Sequence, residues 1–251
     1  MFLKNVTILR DQIPSFKQYP FSIPVIFKLK KLSFKQSVTF FVGENGSGKS
    51  TLIEAIAAQI GFNKAGGSTQ NRFEEEHTVS TLHNYLRLSW LPKVTNGFFL
   101  RAETFYQFAS YLDQLQRENP DDIFASYGGI SLHEQSHGES FLSLFKNRFG
   151  KKGIYLLDEP EAALSPARQL ALLKIIHDLE KEGQSQFIIA THSPILLGYP
   201  NAEIFNFDDG EIKKINYEDT DHYQITKYFL ENREGLLHHL FREEEEEGGV
   251  N

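Results

Sequence analysis

The sequence contains no cysteine, which excludes a disulfide framework, a thiolate zinc site and thiol catalysis, and fits a reducing compartment. It has no uncharged run of about 18 apolar residues, the length that a membrane-crossing helix needs. Residues 1–14 interrupt their apolar positions with Lys4, Arg10 and Asp11, so the start lacks a continuous signal core. A cytoplasmic location without membrane insertion is expected. Internal repeats, heptad arrays and long low-complexity linkers are also missing, which argues for one compact unit.

What is present suits a folded chain. Hydrophobic residues make up 40% and charged residues 24% of the 251 positions, far from the composition of disordered chains. This length is expected to give one large domain, or a domain with a small lobe. The net charge of -7 is concentrated in five consecutive glutamates, residues 243–247. Without them 28 acids face 26 bases, a balance that identifies no partner. Residues 241–251 are read as an acidic flexible tail.

Punctuation and periodicity suggest strands at residues 2–9, 25–29 and 37–42, the last a β-branched and aromatic run stopping at Gly43. Leu52, Ile53, Ile56 and Ile60 then recur at helical spacing before Gly61. Residues 63–96 read as loops or a peripheral lobe. Further strands are expected at 97–101, 154–157 and 187–190, helices at 104–116, 139–148 and 166–182, and a hairpin joining 202–207 to 211–216 over Asp208, Asp209 and Gly210. The alternation implies an α/β fold with a mainly parallel central sheet, antiparallel β elements and a small helical lobe.

Gly43, Glu44, Asn45, Gly46, Ser47, Gly48, Lys49 and Ser50 fit the phosphate-binding pattern G-x-x-x-x-G-K-[ST], followed by Thr51, between a hydrophobic strand and a helix N-terminus. Glycines let backbone N–H groups turn inward around a phosphate, Lys49 reaches the β- and γ-phosphates, and the Ser50 hydroxyl is a candidate Mg²⁺ ligand. A glycine-rich helix cap would need neither three glycines nor the lysine. Asp158 and Glu159 end an apolar strand, which a parallel sheet places beside such a loop. Asp158 is then a candidate Mg²⁺ ligand and Glu159 a candidate base for the water attacking the γ-phosphate. The alternative is that both acids merely open a surface turn before Pro160.

In this order the motifs resemble those of ABC-type ATPase heads, the family of transporter nucleotide-binding domains and of soluble DNA-repair and SMC-like ATPases. The resemblance covers residues 1–240 as one ATPase domain, with 63–150 including the lobe. It is closer still to small stand-alone ABC-type or AAA-family ATPases, through FFVGENGSGKST, LHEQSHGESF, LLDEPEAALSP and IIATHSPILL. It implies that Ser136 and Gly138, 22 and 20 residues before Asp158, belong to a signature helix touching the γ-phosphate of the opposite subunit. His137 and Glu139 depart from the family's usual Gly and Gln, and Ser136 with Glu139 would form a capping box without any nucleotide. Ser165 stands where the D-loop usually has Asp, and is also a good N-cap before Pro166.

The resemblance further makes His192 the histidine that hydrogen-bonds the γ-phosphate, with a structural histidine as the alternative. The glutamine-loop position falls to Glu103 or Gln107, and the adenine-stacking aromatic to Tyr19, with Phe16 as the other candidate. Only 86 residues separate Ser50 from Ser136, so the coiled-coil arm of SMC relatives is absent. The implied protein is an ATP-hydrolysing homodimer around ATP·Mg²⁺, with DNA or a separate effector protein as partner in repair, genome maintenance or phage defence. The rivals are a transporter ATP-binding subunit, a small-molecule kinase, and a nucleotide-gated module with little turnover.

Overall fold

The computed structural model describes residues 1–63, 80–118, 123–127, 129–134, 137–148 and 152–247. Its strands are β1 (Leu3–Ile8), β2 (Lys31–Ser33), β3 (Val38–Val42), β4 (Leu86–Trp90), β5 (Gly97–Arg101), β6 (Gly153–Asp158), β7 (Ser185–Ala190), β8 (Glu203–Asn206) and β9 (Lys213–Ile215). Its α-helices are α1 (Pro24–Lys28), α2 (Lys49–Ile60), α3 (Phe105–Glu118), α4 (His137–Arg148), α5 (Pro166–Lys181), α6 (Pro194–Leu197), α7 (Asp221–Glu231) and α8 (Arg233–Glu247).

The central sheet has the order β5-β6-β7-β3-β8-β9; β5 to β8 run parallel, and β9 returns antiparallel on β8 as the expected hairpin. Every residue of β3, β6 and β7 is buried, as expected for parallel strands covered on both faces. Alternate residues divide the core. Phe40, Phe98, Leu100, Tyr155, Leu157, Phe187 and Ile189 face α3, α4 and α5, whereas Phe41, Phe99, Leu156 and Ile188 face α2. A second, antiparallel sheet, β2-β1-β4, covers the α2 side. Each fully buried side chain of this size contributes roughly 1.5–3 kcal/mol.

Gln186 joins the two sheets. It is fully buried on β7, its Oε1 accepts the N–H groups of Phe2 and Leu3 at 2.8 Å each, and its Nε2 donates to the Leu3 carbonyl at 3.0 Å.

Two expectations need correction. Residues 25–29 are not a strand: Pro24 occupies the first turn of α1, where its fixed φ suits a helix, and Val25 and Ile26 are buried on it. A five-residue segment with four apolar residues does not distinguish strand from buried helix. Within 63–96, β4 forms and pairs with β1, about 80 residues away in sequence, a partner no local pattern reveals. The acidic run, expected as part of a flexible tail, lies at the end of α8.

Sheet register sets up the site. Arg101 pairs with Asp158, Asp158 with Ala190, and Ala190 with Phe41. Four chain segments therefore leave the sheet side by side at one edge, where crevices of parallel sheets form.

Candidate active site

Gly43, Gly46 and Gly48 have φ of 137°, 81° and 104°, a region that side chains other than glycine rarely enter. At Gly48 a Cβ would also come within 2.9 Å of Val25 Cγ2, so α1 packs directly under the turn into α2. Lys49 is only 3% exposed, and its ammonium donates to the carbonyls of Gly43 at 2.6 Å and Glu44 at 3.0 Å. Burial lowers its pKa, opposed by the nearby charges of Glu159, Asp158, Asp208 and Glu44. Asp208, in the turn after β8, accepts the Glu44 N–H at 2.8 Å, and the Ser47 hydroxyl is buried without a hydrogen-bond partner among the described residues. Glu44, Asn45 and Gly46 are exposed at the tip of the loop.

Ser50 Oγ donates to Asp158 Oδ1 at 3.0 Å, linking the start of α2 to the end of β6. Asp158 is 2% exposed, and burial pushes its carboxyl up to about 7, against the opposing effects of Arg101 and the Ser50 hydrogen bond. Arg101 Nε lies 3.5 Å from Asp158 Oδ2, and its Nη2 lies 2.8 Å from Glu103 Oε2. Ser50, Arg101, Glu103, Asp158 and Glu159 enclose a cavity of about 20 Å³, room for one water-sized species. A hydroxyl and a carboxylate beside such a cavity are the hard oxygen donors that Mg²⁺ takes when waters and phosphates complete its shell. The residues present thus fit the metal.

Glu159 has φ 51° and ψ 51°, unusual for a residue other than glycine and the kind of strain that collects at functional sites. Its N–H donates to the Ala190 carbonyl at 2.9 Å, holding the turn after β6 against the end of β7. His192 lies just beyond that strand end. Its backbone N–H donates to Glu161 Oε1 at 2.6 Å, and its Nε2, which has no hydrogen-bond partner among the described residues, stands 3.6 Å from Glu159 Oε1. Its Nδ1 lies 2.9 Å from Nε2 of His222 on α7. Burial and then the Lys49 charge lower the pKa of both rings.

The loop residues 43–51, Asp158, Glu159 and His192 therefore converge on one sheet edge. Ser136 lies outside the described residues. Gly138 is buried at the start of α4, where a Cβ would overlap the Arg168 side chain, and Glu139 reaches Arg168 at 3.5 Å. Ser165 occupies the N-cap of α5 with Pro166 following, but its hydroxyl makes no capping bond. Of the two glutamine-loop candidates, Glu103 lines the cavity, whereas Gln107 lies on the exposed side of α3. Tyr19 is 61% exposed with its hydroxyl 3.5 Å from Thr51 Oγ1, whereas Phe16 is packed among Phe21, Phe27 and Arg10.

Sequence reasoning missed Arg101, Asp208, Glu161 and His222. Arg101 had a usable signal as the last residue of an expected strand. His222 had none, because its proximity to His192 depends on the path of the chain through α7.

Two family models match the chain: "AAA domain" over residues 15–121 and "AAA domain, putative AbiEii toxin, Type IV TA system" over residues 131–198. A "Putative ABC transporter ATP-binding protein" of Staphylococcus aureus (strain MSSA476) is 26% identical over 73% of this chain and 36% of its own length. The chain thus spans about a third of the first curated relatives it matches. The xylose/arabinose import ATP-binding protein XylG of Sulfolobus acidocaldarius is 27% identical over 71% of this chain and 76% of its own. Among solved structures, MJ1267, an ATP-binding cassette of an ABC transporter, superposes with a TM-score of 0.53 at 16% identity, covering 93% of this chain and 97% of that one. A nucleotide-free ATP-binding cassette from an ABC transporter gives the same TM-score and identity over 86% and 92%. These superpositions share the fold of ATP-binding cassettes.

Proposed function

On the premise that the chain is an ABC-type P-loop ATPase, we propose that it binds ATP on the loop 43–51 and hydrolyses it with residues of the adjoining sheet edge. The observation that carries this reading is the 3.0 Å bond from Ser50 to Asp158, which closes a small cavity next to Glu159. On nucleotide binding, Lys49 exchanges the Gly43 and Glu44 carbonyls for β- and γ-phosphate oxygens. Ser50 and Asp158 would hold Mg²⁺, Asp158 through water, and bound Mg²⁺ supplies charge neutralisation for the phosphates. Glu159 accepts the proton of the attacking water. His192 donates from Nε2 to the γ-phosphate. Tyr19, exposed beside Thr51, stacks on the adenine.

Residues 1–240 act as one ATPase domain, with a peripheral lobe within 63–150. In a homodimer formed around ATP·Mg²⁺, Ser136 and Gly138 of one subunit contact the γ-phosphate on the other, and hydrolysis reopens the pair. We place this cycle in the cytoplasm, coupled to DNA or a separate effector protein in repair, genome maintenance or phage defence. No helix among the described residues is long and apolar enough to cross a membrane.

A second reading, the ATP-binding subunit of a transporter, is favoured by the names of the curated relatives. Phosphate release measured with and without duplex DNA, together with pulldown of integral membrane proteins, tests both. Turnover stimulated by DNA supports the first, a captured membrane partner the second, and no phosphate release at saturating ATP·Mg²⁺ overturns ATP hydrolysis.

A further inference from the structure

His222 is far from every nucleotide motif in the sequence, yet its ring meets that of His192 edge to edge. Its Nε2 lies 2.9 Å from His192 Nδ1, and the ring centroids are 5.1 Å apart. The placement is built into the chain. Thr220 caps α7 by accepting the Tyr223 N–H, and the Tyr217 hydroxyl donates to the Pro194 carbonyl at 2.9 Å, tying the approach to α7 to the start of α6, two residues after His192.

A hydrogen bond between two imidazoles needs one N–H and one bare nitrogen, so only two arrangements of a neutral pair exist. If His192 donated from Nδ1, its Nε2 lone pair would face Glu159 Oε1, 3.6 Å away. If His222 donates instead, His192 carries its proton on Nε2 and presents a donor toward that carboxylate. We propose that His222 is a positioning residue for His192: its Nε2–H donates to His192 Nδ1 and holds the His192 proton on Nε2, ready for an acceptor-only phosphate oxygen.

Burial and the nearby Lys49 charge, which lower both ring pKa values, keep the pair neutral and so support the single shared proton. This is the relation in which one nitrogen of a histidine is fixed by the bond that the other makes. The catalytic consequence rests on the proposed contact of His192 with the γ-phosphate, whereas the hydrogen bond does not.

The test has two arms on the full chain. In nucleotide-free protein labelled with ¹⁵N-histidine, long-range ¹H–¹⁵N correlations should show His192 protonated at Nε2 and bare at Nδ1. The opposite pattern, or an even tautomer mixture, overturns the proposal. In the second arm, His222→Leu should lower kcat for ATP by about tenfold or more with little change in KM, the scale on which a partner that orients a histidine acts. His222→Gln, whose amide can donate in the same place, should recover most of that loss. An unchanged kcat in His222→Leu, or no recovery in His222→Gln, also overturns it. If the unmodified protein releases no phosphate, ATP hydrolysis fails as the function while the spectra still decide the pair.

Discussion

Arg101 and Asp158 are paired twice, once as opposite residues of β5 and β6 and again through their side chains, with Nε 3.5 Å from Oδ2. The carboxylate is buried, and the acids Glu159 and Glu103 raise its pKa further. Arg101 is therefore the cation that balances this corner, and it does so from a partly exposed position, 29% accessible. Arg101→Met keeps the length of the side chain and removes the charge. It should destabilise the nucleotide-free protein by about 1–3 kcal/mol, less than for a fully buried pair. Urea unfolding monitored by far-UV circular dichroism checks this, and an unchanged midpoint would refute it.

Gln186→Leu preserves volume on β7 but leaves the Phe2 and Leu3 N–H groups buried without their acceptor. Each buried donor left unsatisfied costs about 1–3 kcal/mol, so the loss of two acceptor contacts should be roughly 2–6 kcal/mol. Hydrogen exchange should rise first at β1, because among the described residues the other backbone hydrogen bonds of that strand run within its own sheet. Uniform exchange across both sheets would show that Gln186 is not the link.

Lys49→Ala removes the ammonium that donates to the loop carbonyls of Gly43 and Glu44. Charge-assisted hydrogen bonds contribute about 1.5–3 kcal/mol each, so ATP affinity should fall by about 100-fold or more in isothermal titration. Unchanged affinity would dissociate the loop from nucleotide binding.

The fold was legible in the sequence where patterns are local. Lys49–Ile60 and Gly97–Arg101 form as read, and the strand of residues 154–157 forms one residue longer at each end, because apolar spacing and flanking glycines act within a few residues. β4 and α1 were not legible: β4 depends on a distant partner, and α1 on how Val25 and Ile26 pack beneath Gly48. The candidate site follows the same division. The loop, Asp158 and Glu159 form contiguous motifs, whereas Arg101 is aligned by strand register and His222 by the course of α7.

The histidine pair gives a pH dependence with a definite sign. Both folded pKa values lie below the ordinary 6.5, so the unfolded chain takes up protons first as pH falls. This contribution to stability is present above about 6.5 and is lost on acidification toward the folded values. His222→Leu should therefore flatten the decline in stability between about pH 7 and 5.5 relative to the unmodified protein. Parallel curves from denaturant midpoints at each pH would contradict the neutral pair.

His192→Ala should reduce ATP turnover far more than it weakens ADP binding, because the proposed contact is with the γ-phosphate alone. Phosphate release compared with ADP titration measures the two. Equal losses would make His192 a structural residue, held by Glu161 and His222 for the sake of the loop.

Glu159→Gln is the most discriminating substitution, since it keeps the shape of a residue held at φ 51° and removes only its capacity to accept a proton. Loss of a general base costs roughly 10²- to 10⁴-fold in rate. Lys49, Ser50 and Asp158 are untouched, so ATP and Mg²⁺ should still bind, and binding should separate from hydrolysis. If ATP holds the subunits together, this variant should accumulate as a dimer on size exclusion with ATP and Mg²⁺. Ser136→Arg, at the position that the resemblance assigns to the contact with the opposite subunit's γ-phosphate, should abolish that dimer. Wild-type turnover in Glu159→Gln would remove Glu159 as the base, and a monomer at saturating ATP would remove the shared site. Tight ATP binding with negligible phosphate release in the unmodified chain would instead identify a nucleotide-gated module, with Glu159 held in its strained turn for a reason other than hydrolysis.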